Sequence, residues 1–190
     1  MRYLAAFLLL CTCAAVAQTQ SDEPQLQKGA HELSFWLSGG RGTTGRTSDT
    51  GVLIGAVRYG WVLTGPHGPS ALRGTFEAGV DAVPVFLVFQ PSNAYGVGIN
   101  PVVLKWNFQG HKVAPSLEIN GGTLFSTEDV PTGTSKINFT SGAALGFRFG
   151  NRTWSPSLAV RYMHISNAGL SSPNPGINTV QLTLGIGRFR

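Results

Sequence analysis

Downstream of Lys28, apolar residues recur at every second position in runs separated by clusters of Gly, Pro, Asn and Ser. Around residues 72–88, Phe76, Ala78, Val80 and Ala82 fall on one side, with Arg73, Thr75, Glu77 and Asp81 on the other. Around 112–125, Leu117 and Ile119 oppose Ser116, Glu118 and Asn120. The last run sets Val180, Leu182, Leu184 and Ile186 on one side, with Phe189 next to the end. A period of two is that of a β-strand, whose successive side chains point to opposite faces, and no helical period is sustained through these runs. The pattern predicts eight strands, at roughly 31–39, 51–64, 72–88, 95–108, 112–125, 137–149, 154–166 and 178–189.

Alternation alone also suits a secreted β-sandwich. Several of these runs are long for a sandwich strand but suit tilted membrane strands of ~9–11 residues plus their rims. The connections differ in character. Segments 40–50, 89–94, 126–136 and 167–177 read as outer loops, and 65–71, 109–111 and 150–153 as turns that are shorter on average. That is the arrangement of an outer-membrane barrel with both termini on the periplasmic side. The expected fold is therefore all-β, an eight-stranded antiparallel transmembrane β-barrel. A pore is disfavoured, because eight strands enclose a space that side chains largely fill. The glycine-rich stretch Ser38–Gly42 lacks a following helix and a Lys-Ser/Thr pair, so it reads as a flexible loop and not as a phosphate cradle.

The N-terminus adds the route of export. Arg2 precedes an apolar run from Leu4 to Cys13, and Ala15-Val16-Ala17 supplies small residues for a peptidase, so residues 1–17 read as a signal peptide and 18–190 as one barrel domain. Large Leu10 and Cys11 before Cys13 speak against a lipid-modified cysteine. Both cysteines lie in the signal, leaving the mature chain no thiol for a disulfide, a metal or a nucleophile. The formal net charge of +5 is spread along the chain without a basic stripe. Nucleic acid is not an expected partner, and an anionic lipid surface is a more natural use of the excess.

One segment carries chemistry. Leu158, Val160, Tyr162, His164 and Ser166 share the apolar face of the seventh run, as do Asn178, Val180, Leu182 and Leu184 in the eighth. An imidazole beside an alcohol is the core of a serine hydrolase. If that face meets lipid, the pair sits outside the barrel near its outer rim, where acyl chains and headgroups of the outer leaflet are the available substrate. On its own, a His-x-Ser pair at a rim is weak grounds for catalysis.

The segment His164-Ile165-Ser166-Asn167-Ala168-Gly169-Leu170, followed by Pro173-Asn174-Pro175-Gly176-Ile177, resembles the active-site segment of the PagL-type lipid A 3-O-deacylases, which are eight-stranded outer-membrane barrels. The resemblance implies hydrolysis of the ester-linked acyl chain at position 3 of lipid A in lipopolysaccharide, with neither metal nor cofactor. It implies Ser166 as nucleophile, His164 as general base, and Asn174 and the backbone at Gly169 as oxyanion donors, with Asn167 shaping the site or ending the strand. The Asn-, Gly- and Pro-rich loop would also suit a tight turn in any barrel. Where the family carries a glutamate beside the histidine, this chain has Asn178. An amide oxygen can accept the histidine N–H but cannot stabilise imidazolium by charge. In a serine protease the same acid-to-amide change costs about 10⁴-fold in rate. Glu128 or Asp129, in the preceding outer loop, are expected to compensate if that loop folds over. The competing reading is a non-catalytic outer-membrane barrel that binds lipid or a partner. The oligomeric state is left open, a homodimer among the options.

Overall fold

The computed structural model describes residues 26–43, 47–110, 112–150 and 154–190. The expected signal peptide, residues 18–25 after it and most of the last short turn lie outside the described residues. Eight strands close on themselves in sequence order: β1 (His31–Gly42), β2 (Gly51–Val62), β3 (Gly74–Phe89), β4 (Ala94–Phe108), β5 (Val113–Ser126), β6 (Ile137–Phe149), β7 (Ser155–Ser166) and β8 (Ile177–Phe189). Every neighbouring pair is antiparallel, and β1 closes the ring against β8 from Glu32↔Phe189 to Gly42↔Thr179. Closure leaves no strand edge unpaired, the condition a sheet must meet in hydrocarbon.

The faces follow the alternation. Leu33, Phe35 and Leu37 of β1 and Val180, Leu182, Leu184 and Ile186 of β8 point outward as an apolar band. Tyr59 and Trp61 meet edge to face at 4.9 Å near the periplasmic end of β2, as in an aromatic girdle. The chain is an eight-stranded antiparallel transmembrane β-barrel.

Three local expectations need correction. The Ser38–Gly42 stretch is not a loop, because β1 runs through it to Gly42. A Cβ on Gly40 would collide with the Val180 carbonyl, so glycine is what lets β1 and β8 approach. The third strand starts later than the expected 72, because Ser70–Leu72 forms a single 3₁₀ turn. Finally, the alternation in β3 does not persist. The β3–β4 register shifts between Val83 and Phe86, around Pro84, which has no N–H for the ladder. Phe86 and Val88 consequently face inward and are buried.

That inversion changes the interior. The lower lumen is polar, as expected: Arg58 spans Asp81 (Nε–Oδ1 2.7 Å, Nη2–Oδ2 3.0 Å) and Glu118 (Nη2–Oε1 3.0 Å), and Arg161 Nη2 joins Glu118 at 2.9 Å. Lys105 bridges Glu32 at 2.8 Å and Glu77 at 3.4 Å. The outer third is instead an apolar core of Trp36, Val52, Ile54, Phe86, Val88, Leu124, Met163, Ile165 and Ile177, capped by fully buried Val130 from the third outer loop. Met163, Ile165 and Ile177 are the inward neighbours of His164, Ser166 and Asn178. The outward residues therefore stand on strands packed against a solid interior.

Candidate active site on the lipid face

His164 and Ser166 lie on the outward face at the top of β7, and Asn178 lies at the top of β8 as the direct register partner of His164. The His164 Nδ1 to Asn178 Oδ1 distance is 2.7 Å. A carbonyl oxygen only accepts, so Nδ1 carries the proton and Nε2 is left unprotonated in the neutral ring. Nε2 makes no hydrogen bond among the described residues. The Tyr162 hydroxyl donates to the same Asn178 Oδ1 at 2.8 Å.

Ser166 stands two residues along the strand from His164, a Cα spacing of about 7 Å. Its hydroxyl makes no hydrogen bond among the described residues, so the pair shares a face without a resting Ser–His bond. Contacts of this kind often tighten only when substrate binds. Ser141 of β6 is directly opposite His164. Opposed residues bring their Cβ atoms to about 5 Å, so a second hydroxyl adjoins the imidazole. Its position depends on strand pairing and could not be read along the chain.

The loop after Ser166 is held from within. Asn167 is 1% exposed, and its Nδ2 donates to Ser171 O at 3.1 Å and Ser171 Oγ at 2.8 Å. Its Oδ1 accepts from Gly169 N at 2.8 Å, and its backbone N donates to Asn174 Oδ1 at 3.2 Å. Leu170 N closes a turn on Asn167 O at 3.0 Å, with Ala168 (φ 52°) and Gly169 (φ 82°) both left-handed. The Gly169 N–H, expected as an oxyanion donor, is thus engaged by Asn167 in this state. Asn174 Nδ2 carries no hydrogen bond among the described residues.

Neighbouring loops brace this one. Ser171 Oγ donates to Thr134 O at 3.0 Å, Thr47 Oγ1 to Gly176 O at 3.3 Å, and Thr43 N to Asn178 O at 2.8 Å. Gly176 is buried with φ 65°, and a Cβ there would lie 2.8 Å from His164 Cε1. The imidazole is seated between Asn178 and a residue that has to be glycine. Neither Glu128 nor Asp129 bonds to His164. Gln90 Nε2 holds the Asp129 carbonyl at 2.6 Å, tying that part of the third loop to the β3–β4 connection instead.

The family model for "Lipid A 3-O-deacylase (PagL)" matches residues 53–187. The curated protein "Lipid A deacylase PagL" of Bordetella bronchiseptica (strain ATCC BAA-588 / NCTC 13252 / RB50) is 40% identical over 63 residues, 33% of this chain and 35% of that protein. The alignment thus spans about a third of that relative's length. The crystal structure of the outer membrane enzyme PagL superposes with a TM-score of 0.60 at 21% identity, covering 81% of this chain and 97% of that one. Neisserial surface protein A matches at a TM-score of 0.50 and 13% identity, over 84% and 95% of the two chains. At these identities the two structures bear on the fold.

Proposed function

Because the chain belongs to the PagL family of lipid A 3-O-deacylases, we propose that it is an outer-membrane hydrolase that removes the ester-linked acyl chain at position 3 of lipid A. The observation that carries this reading is the His164–Asn178 hydrogen bond on the lipid face. It leaves Nε2 free to act as a base toward Ser166 on the same face, where an acylated lipid of the outer leaflet would lie.

In the proposed mechanism Ser166 Oγ attacks the ester carbonyl carbon while His164 Nε2 takes the hydroxyl proton. The tetrahedral intermediate then expels the sugar oxygen, which receives that proton from His164, leaving an acyl-Ser166 ester. Water attacks this ester, His164 again accepts and returns a proton, and the free fatty acid leaves with Ser166 regenerated. Asn174 Nδ2, which makes no hydrogen bond among the described residues, would donate to the oxyanion, and Gly169 N–H would join once its bond to Asn167 gives way. One such donor is worth about 3–4 kcal/mol of barrier in a serine protease of this type. No metal or cofactor has a role in these steps.

Hydrolysis in ¹⁸O-labelled water tests the reaction class. The released fatty acid should carry one ¹⁸O and the sugar hydroxyl none; label on the sugar, or no release, contradicts acyl transfer through serine. The second reading, a non-catalytic lipid- or partner-binding barrel, draws on Asn178 and on the unbonded Ser166 hydroxyl, and it predicts no release.

A further inference from the structure

The resemblance implies a carboxylate where this chain carries the amide of Asn178, and an amide at that place creates a difficulty of orientation. A carboxylate offers an acceptor oxygen at either end. An amide offers an acceptor at one end and a donor at the other. With Oδ1 toward the ring, His164 keeps its proton on Nδ1 and Nε2 can take a proton from serine. With Nδ2 toward the ring, Nδ1 must accept, the proton moves to Nε2, and the base is lost.

We propose that Tyr162 is a positioning residue that selects the productive amide orientation, so that a Tyr162–Asn178–His164 unit does in this chain what a carboxylate–histidine pair does in its relatives. The Tyr162 hydroxyl reaches Asn178 Oδ1 at 2.8 Å, the same atom that His164 Nδ1 reaches at 2.7 Å. A phenol donates better than it accepts, because the ring withdraws density from its oxygen. A phenol donating here therefore favours the carbonyl end over the NH₂ end, and the ring proton settles on Nδ1 to match. Tyr162 is 47% exposed on the lipid-facing side, where acyl chains offer its hydroxyl no partner and Asn178 does. Tyr162 touches neither the Ser166 hydroxyl nor any acyl carbonyl in this scheme. It acts through Asn178 on the tautomer of His164.

This inference rests on the deacylase reading for its kinetic consequence, but its structural content can be read without turnover. ¹⁵N NMR of the imidazoles in detergent-folded protein reports the tautomer directly. In the parent the neutral His164 should be the Nδ1–H form. Tyr162→Phe should shift it to a mixture, and Asn178→Glu/Tyr162→Phe should restore Nδ1–H. In kinetics, Tyr162→Phe should lower kcat about 5- to 10-fold with KM within about twofold, and less than about twofold in the Asn178→Glu background, as expected for one lost hydrogen bond. An unchanged tautomer in Tyr162→Phe, or an equal rate loss in both backgrounds, overturns the proposal. A parent that shows the tautomer response yet hydrolyses no lipid A would remove the deacylase reading and leave this one standing.

Discussion

Asn178 faces His164 as its direct partner across β7 and β8, and the amide oxygen lies 2.7 Å from the ring nitrogen on the outside of the barrel. The relationship fixes the ring without supplying charge. Replacing Asn178 by Glu should raise the rate at least tenfold, since a carboxylate stabilises the imidazolium that forms as serine loses its proton. Asn178→Leu should lower the parent rate at least tenfold. Initial rates on lipid A in mixed micelles check both directions.

Gly176 should tolerate no side chain. Alanine there meets His164 Cε1 at 2.8 Å and must adopt a φ of 65°. The left-handed backbone costs roughly 1–2 kcal/mol, while the contact displaces the base. Gly176→Ala should lose at least tenfold in kcat yet remain folded, as judged by heat-modifiable migration on a gel.

Asn167 should matter for loop order more than for chemistry. Asn167→Ala removes the side-chain bonds to Ser171 and Gly169 and leaves the loop without its internal clamp. Hydrogen exchange in residues 168–176 should quicken while β7 and β8 stay protected. Unchanged exchange would count against the clamp.

The lumen sets stability and should be separable from activity. Arg58 joins Asp81 and Glu118 with its side chain 5% exposed, so Arg58→Ala leaves Asp81 without its cation and Glu118 with Arg161 alone. Removing one partner of such a buried set costs about 3–5 kcal/mol. The urea midpoint of the barrel should fall markedly, and the hydrolysis rate of the fraction that remains folded should change little.

Much of this architecture was legible along the chain, because in a barrel the lipid and the lumen each select one residue of every pair. Phe76 to Ala82 and Val180 to Ile186 show it directly. The reading failed where geometry depends on partners. Gly40 reads as loop from its glycine-rich neighbours, whereas its place in β1 depends on the close approach of β8, and Pro84 reverses the phase of β3 so that Phe86 and Val88 plug the outer lumen. At the site, the shared face of Tyr162, His164 and Ser166 followed from period two. The engagement of Tyr162 with Asn178, the approach of Gly176 to the ring and the placement of Ser141 opposite His164 are cross-strand and loop contacts, which no spacing along the chain encodes. The occupied Gly169 N–H likewise depends on the folded turn at Asn167.

In the proposed reaction Ser166, served by His164, cleaves an acyl ester of lipid A. Mass spectrometry of lipid A incubated with detergent-folded parent, Ser166→Ala and Ser141→Ala proteins tests it most directly. Loss of one 3-hydroxyacyl group is expected with the parent and with Ser141→Ala, and none with Ser166→Ala. Intact lipid A from the parent, or undiminished loss from Ser166→Ala, would contradict it.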